Sequence, residues 1–279
     1  MTCYSYTNGS YIPNYKAKIS INDRSVHFAD AVYEVVTVFD YRMLFWSDHI
    51  KRLKKSLKML DINYNKSFEA LFYNCTELIK KNELQEGIIY IHISRGEAKR
   101  NHNWNKDLLP NLIISCLHKK TFSLHAKNIS LISDADIRWN KCHIKTVSLL
   151  ANVLLKQKAV NNNAFECLMV DKNGYVTEAT TSNIWILKKK TLITTPLSSN
   201  ILAGVTRKKV LELANTLNIR VLERKFKLKD VFNASGVFIT NSSALILEAN
   251  KLNTKRLKID NSGLMSNLKQ KMLELISNE

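Results

Sequence analysis

A chain of 279 residues that is 45% apolar, with only 7 glycines and 3 prolines, can fill one large or two moderate cores and excludes a low-complexity or linker-rich scaffold. The formal charge of +18 raises nucleic acid or an anionic membrane as partners, but the cations are spread, and no RNP-like strand or DNA-reading motif accompanies them. No apolar run reaches bilayer length, and MTCYSYTNGSYIPNY lacks the basic start and apolar core of a secretory signal, so no specific nucleic acid, no membrane and a cytoplasmic location are expected.

In chain order, Thr7 to Ser10 is a turn, and VYEVVTVF, Val32 to Phe39, is a strand by its β-branched and aromatic content. By itself Tyr33 within it reads as a strand tyrosine with its hydroxyl at the surface. Ser47 to Leu60 is a helix capped by Ser47 or Asp48, with Ile50, Leu53, Leu57 and Leu60 on one face. Arg52 falls off that stripe and reads as a solvated cation. A second helix, Ser67 to about Lys81, carries Phe68, Leu71, Phe72, Cys75, Leu78 and Ile79 as a core stripe. GIIYIHISRG, Gly87 to Gly96, alternates, with Ile89, Ile91 and Ile93 on one side and Ile88, Tyr90, His92 and Ser94 on the other. It delivers the polar loop EAKRNHNW. NLIISCL, Asn111 to Leu117, is a further buried strand, and HKKTFSLHAKN after it reads as a connection. The division expected is an N-terminal α/β domain over 1–118, a connection over 119–130 and a C-terminal domain over 131–279.

In the second half, HIKTVSLLANVLLKQKA places Lys145 among Ile144, Val147, Leu149 and Leu150, ahead of a helix from Ser148 to about Val160. Apolar surroundings favour an uncharged amine, which makes Lys145 a candidate nucleophile or base. In DKNGYVTEATTSN, Asp171, Asn173 and Gly174 form a hairpin turn. Tyr175, Val176 and Thr177 lead from it to Glu178, which is followed by Thr180, Thr181, Ser182 and Asn183. A reactive amine and a fixed carboxylate are the two groups that pyridoxal phosphate requires of a protein: one bonds its aldehyde, the other keeps its ring nitrogen protonated. In ILAGVTRKKVLELANTLN, Gly204 permits close backbone approach, and the helix from near Val205 presents unpaired N–H groups. The Val205 and Thr206 amides and the Thr206 hydroxyl suit a phosphate, although a plain helix start reads equally well. GVFITNSSALILEAN is a strand running into a hydroxyl-rich turn at Ser242 and Ser243, and a last helix spans about Met265 to Ser277.

Five cysteines, Cys3, Cys75, Cys116, Cys142 and Cys167, lack CxxC pairing, so reduced thiols are expected, with Cys142 in a packing role. No HExxH, zinc-ribbon spacing or GK[ST] loop is present, and no metal is expected.

Six segments stand in order along the chain: DRSVHFADAVYEVV, DHIKRL, SRGEAKRNH, DIRWNKCHIK, VTEATTSN and ILAGVTR. Together they resemble the class IV (fold type IV) pyridoxal-phosphate aminotransferases over essentially the whole length, and within them the branch that acts on D-amino acids. The resemblance implies a two-domain α+β / α/β fold, with a smaller N-terminal α/β domain and a larger C-terminal mixed-sheet domain carrying Lys145. It implies pyridoxal 5′-phosphate bonded to Lys145, with Glu178 at the ring nitrogen and Leu202 against the ring. Arg52, Val205, Thr206 and either Ser242 or Ser243 would hold the phosphate. Tyr33, Arg100 and His102 would grip the α-carboxylate of the substrate, the loop of the last two coming from the neighbouring subunit of a homodimer. The reaction implied is ping-pong transfer of the amino group of a D-amino acid, D-alanine or D-glutamate, to a 2-oxo acid. Branched-chain aminotransferase and aminodeoxychorismate lyase, which share the cofactor contacts, stand as alternatives. The chain departs from the pattern where Ala29 and Ala31 replace frequent glycines and where ALILEA replaces a more polar segment.

Overall fold

The computed structural model describes residues 3–121 and 128–279. The chain forms two compact units: Met1–Thr121 with Ile144–Ser148, and Phe122–His143 with Leu149–Glu279. Of the connection expected over 119–130, positions 122–127 lie outside the described residues. Lys145, which the sequence places in the second domain, packs with the first unit. The reason is backbone pairing: Thr146 bridges Val32, the Tyr33 amide donates to Lys145 O at 3.0 Å, and the Val147 amide donates to Ala31 O at 3.2 Å.

The first unit comprises β1 (Tyr4–Thr7), β2 (Ser10–Pro13), α1 (Arg24–Phe28), β3 (Ala31–Phe39), β4 (Arg42–Met43), α2 (Trp46–Met59), α3 (Phe68–Lys81), β5 (Glu86–Ser94) and β6 (Asn111–His118). Its strands form one antiparallel sheet in the order β2-β1-β6-β5-β3-β4. Period-two alternation sends Val32, Val36 and Val38 of β3 and Ile89, Ile91 and Ile93 of β5 into one core with Ile50, Leu53 and Leu57 of α2 and Leu71, Cys75, Leu78 and Ile79 of α3. Glu34 shares that inward phase. Tyr33, opposite His92 in the β3–β5 register, occupies the other face.

Two sequence expectations are corrected in this unit, and one element is added. The first turn of α2 begins at Trp46 behind Phe45, whose left-handed φ of 56° makes the N-cap, so neither Ser47 nor Asp48 caps it. Phe72 is 45% exposed and meets Trp46 edge-on, because α3 turns only its Leu71, Cys75, Leu78 and Ile79 face inward. The short helix α1, absent from the sequence reading, starts where Asp23 Oδ1 accepts from the Ser25 amide at 2.8 Å and ends at Ala29 in the left-handed region.

The second unit comprises β7 (Ile129–Ala135), α4 (Leu150–Asn161), β8 (Glu166–Val170), β9 (Val176–Ala179), β10 (Asn183–Lys188), β11 (Thr191–Thr194), α5 (Val205–Thr216), β12 (Arg220–Glu223), α6 (Leu228–Phe232), β13 (Gly236–Asn241), β14 (Leu245–Leu252), β15 (Lys255–Arg256) and α7 (Leu264–Ser277). The sheet order is β12-β11-β10-β13-β14-β7-β8-β9, with β15 on β14. It is mixed. Parallel pairs β7/β8 and β11/β12 are joined by the crossover helices α4 and α5, as parallel neighbours require. Ile184, Ile186, Val237, Ile239 and Phe226 lie in its core. Among the described residues no helix is long and apolar enough to cross a membrane.

Candidate active site

In the first unit, Lys145 reaches out from the segment hydrogen-bonded to the start of β3. Its amide meets Ser56 Oγ of α2 at 3.2 Å, and its Nζ stands 4.2 Å from the centre of the Tyr33 ring. That aromatic face is what lies beside the amine. Of the apolar neighbours in sequence, Ile144 is buried, while Leu150, at the head of α4, is 73% exposed. Tyr33 packs on Tyr90 at 5.6 Å between centroids, and Tyr90 Oη lies 3.2 Å from His92 Nδ1.

Arg52 is not the solvated cation its place off the apolar stripe suggested. It is drawn in by Glu34, whose carboxylate sits in the inward phase of β3 and would be unpaired there. Arg52 Nε and one Nη donate to the two Glu34 oxygens at 2.8 and 2.7 Å, and His49 Nδ1 is 2.7 Å from the same carboxylate. Burial opposes the charge on Glu34, but Arg52 and His49 hold its carboxyl well below the usual range. Burial in turn pushes the His49 imidazole below its usual value, against the pull of Glu34.

Arg100 and His102 lie together on the exposed loop after β5. Both rest on Phe28, the last residue of α1, each 5.3 Å from its ring. Thus the structure pairs Lys145 with Tyr33 and Arg100 with His102.

In the second unit, the Asp171 turn is as read: Asp171 Oδ1 accepts from the Asn173 and Tyr175 amides and Gly174 takes a φ of 80°. It launches β9, which carries Glu178 inward. The Glu178 carboxylate is held from three sides: Arg138 at 2.5 Å, Asn183 Nδ2 at 3.0 Å and the Leu202 amide at 3.1 Å. Arg138 is itself aimed by a fork onto Asp136, at 2.9 and 2.8 Å, and by Asn200 O at 3.0 Å. Burial pushes the Glu178 carboxyl up to about 7, against Arg138 and the Leu202 amide.

The head of α5 is built around Gly204, the N-cap. A Cβ there would stand 2.1 Å from Asn183 Oδ1, so only glycine fits. Two residues on, the Thr206 Oγ1 is buried with no hydrogen-bond partner among the described residues, and Val205 is buried beside it. Ser242 and Ser243 are half-buried in the turn between β13 and β14, where the Ser243 hydroxyl donates to Asn241 Oδ1 at 3.3 Å. Asn241 in turn donates to Ser182 Oγ at 2.9 Å, and Ser182, Thr180 and Thr181 all donate to the buried Glu166 carboxylate. Cys142 is half-buried; its Sγ donates to Trp139 O at 2.9 Å, and burial pushes its thiol up to about 11.

Sequence reasoning misses Glu34, His49, Asp136 and Arg138, whereas Asn183, singled out with Glu178, does donate to it. Glu34 does carry a signal, because a carboxylate in the inward phase of an apolar strand needs a buried cation. Arg138 and Asp136 carry no periodic signal. They are visible only as part of DIRWNK.

The model of the amino-transferase class IV family matches residues 31–252. The chain belongs to that family. D-Alanine aminotransferase of Bacillus licheniformis is 33% identical over 241 residues, 86% of this chain and 85% of that protein. The enzyme of the same name from Staphylococcus aureus (strain MSSA476) is 32% identical over 88% of each chain. Among solved structures, the branched-chain amino acid aminotransferase from Escherichia coli superposes with a TM-score of 0.89 at 22% identity, covering 99% of this chain and 94% of that one. That likeness establishes fold type IV, the two-domain α+β architecture expected.

Class IV aminotransferases are pyridoxal-phosphate enzymes, and this chain's residues fit the group. The Thr206 hydroxyl, which has no partner among the described residues, and the glycine-capped start of the 12-residue α5 suit a phosphate. A buried carboxyl titrating near neutrality suits a pyridine nitrogen, and the Lys145 amine suits an aldehyde.

Proposed function

We propose that this class IV aminotransferase moves the amino group of a D-amino acid to a 2-oxo acid with pyridoxal phosphate as cofactor, D-alanine and D-glutamate being the favoured donors. The observation that carries the cofactor reading is the head of α5, where, beside the Gly204 N-cap, Thr206 presents a buried hydroxyl with no partner among the described residues. The similarity to D-alanine aminotransferases and the Arg100–His102 pair carry the substrate class.

When bound, pyridoxal phosphate supplies an aldehyde that takes up the amino group and a ring that accepts the electron pair left at the substrate Cα. Lys145 would hold the cofactor through its aldehyde, and its Nζ is the amine that would carry the Cα proton. Glu178 keeps a proton at the ring nitrogen, and Arg138 with Asn183 fixes the carboxylate that does so. The Val205 and Thr206 amides, the Thr206 hydroxyl, Arg52 and one of Ser242 and Ser243 would hold the phosphate, and Leu202 would meet the ring. Tyr33, Arg100 and His102 bind the α-carboxylate, Arg100 by its forked donors.

The loop of Arg100 and His102 serves the site of a second copy in a homodimer. Exposed apolar side chains beside it, Val26, Trp104 and Leu109, support a protein partner for this surface. A cytoplasmic location accords with the free cysteines.

The test is the absorbance of the cofactor-loaded protein after addition of D-alanine, L-leucine or aminodeoxychorismate. Conversion by D-alanine alone supports the reading. Conversion by L-leucine alone makes it a branched-chain enzyme, and pyruvate release from aminodeoxychorismate makes it the lyase. Borohydride reduction and peptide mapping must place the label on residue 145, and a label elsewhere ends the assignment of Lys145.

A further inference from the structure

We propose that Arg24 is a positioning residue for substrate recognition: its buried guanidinium holds three consecutive carbonyls of the loop that carries Arg100 and His102, and so sets how the α-carboxylate is gripped. This rests on the role given to Arg100 and His102 above and extends it to a residue that acts through the backbone beneath them.

Every loop residue from 99 to 107 is exposed, whereas Arg24 is 3% exposed. A guanidinium has five N–H donors in a fixed plane. In Arg24, Nε donates to Asp30 Oδ2 at 2.8 Å, one Nη donates to Asn101 O at 2.7 Å and Asn103 O at 3.3 Å, and the other donates to His102 O at 3.1 Å. The carbonyl of His102 and those on either side of it therefore converge on one cation.

The cation is itself immobilised. Asp30 is the node between two guanidinia, since Arg95 donates to the same carboxylate at 2.8 and 3.0 Å and to the Leu60 and Asp61 carbonyls at 2.7 Å each. The Arg95 guanidinium lies 4.0 Å from the centre of the Trp104 ring, which ties down the far side of the loop. Phe28, four residues after Arg24 on α1, receives the Arg24 guanidinium at 4.8 Å and carries Arg100 and His102 on the same ring. One turn of helix thus supplies both the donor for the loop backbone and the platform for its two side chains. A lysine at 24 would keep the charge facing Asp30 but lose the fork that reaches three carbonyls.

The experiment uses the cofactor-loaded enzyme with Arg24→Lys, and Arg24→Gln as the companion should the lysine variant not fold. Two quantities are read beside activity: binding of propionate, a carboxylate without an amine, followed by calorimetry, and the absorbance of the bound cofactor. The expected result is a rise of about tenfold or more in KM for D-alanine and in the propionate Kd, because loop misplacement weakens the grip on the carboxylate. Cofactor absorbance stays close to wild type. Arg100→Ala, measured in parallel, separates the two levels. If it raises KM while both Arg24 variants keep wild-type KM and propionate binding, Arg24 is only structural and the inference is overturned. If Arg100→Ala leaves KM unchanged as well, the carboxylate role of the loop fails and the inference falls with it.

Discussion

Arg138 Nη1 lies 2.5 Å from Glu178 Oε1, and the same guanidinium is forked onto Asp136. The acid assigned to the cofactor ring is therefore aimed by a cation that is itself aimed by a second acid. Removing the cation leaves Glu178 buried with fewer donors, and its carboxyl, already raised to about 7, rises further. Arg138→Met should lower kcat by about a hundredfold at neutral pH, because Glu178 can no longer fix a proton on the ring. A pH–rate profile checks this. An acid limb unmoved from wild type would show that Arg138 does not tune Glu178.

The cofactor-free protein should lose stability from Glu178 as the pH rises. In the unfolded chain this carboxyl ionises near 4.5, whereas in the folded chain burial holds its proton up to about 7. Between those values the native state binds a proton that the unfolded state has released. The contribution is full below 4.5 and is lost as the pH passes through about 7. Glu34 runs the other way. Arg52 and His49 depress its carboxyl against the cost of burial, so its stabilisation is present above 4.5 and lost as the pH falls. Urea unfolding from about pH 4.5 to 8 should show a flatter neutral limb for Glu178→Gln than for wild type, and parallel curves would contradict the assignment.

Much of the first unit is legible in its alternation. Ile89, Ile91 and Ile93 face the core, and the stripes of α2 and α3, Phe72 excepted, pack where their spacing puts them. The second unit's strands and the start of α5 at Val205 likewise follow from β-branched runs and a glycine cap. The failures share a cause. Arg24, Arg52 and Arg138 are buried cations, and a sequence pattern assigns cations to water until a buried carboxylate is recognised as their partner. Asp30, Glu34 and Asp136 are those partners. Asp30 stands six residues from Arg24 and Glu34 eighteen from Arg52, separations that no helical or strand spacing rule picks out. For Lys145, proximity along the chain is a poor guide to proximity in space. Leu150 turns to solvent, and the ring that meets the amine comes from Tyr33, more than a hundred residues earlier in the chain.

The two alanines standing where the family often has glycine differ in kind. Ala29 closes α1 with φ 53° and ψ 32°, a left-handed conformation that costs an L side chain about 1 kcal/mol. Ala31 begins β3 as extended backbone and is fully buried. Ala29→Gly should therefore raise stability by about 0.5 to 1 kcal/mol after the entropy of the unfolded chain is counted, while Ala31→Gly lowers it by about 1 kcal/mol. Thermal unfolding of the two variants decides the matter, and equal shifts of the same sign would refute the distinction.

Gly204 offers the most direct test of how the head of α5 is coupled to Glu178. A methyl group at 204 would overlap Asn183 Oδ1, and Asn183 Nδ2 bonds both Glu178 Oε2 and Leu202 O at 3.0 Å. Asn183 must yield, because the colliding partner is a short amide held at both ends. Gly204→Ala should thus strip one donor from Glu178 as well as crowd the phosphate position. A lost hydrogen bond to a charged group is worth about 1.5 to 3 kcal/mol, so the Kd for pyridoxal phosphate should rise by roughly tenfold to a hundredfold. Fluorescence titration of the cofactor-free protein reads it. The double variant Gly204→Ala with Asn183→Ala removes the collision, and its loss should fall short of the sum of the two single losses. Strict additivity would mean that the glycine serves the phosphate alone, with no route through Asn183 to the acid.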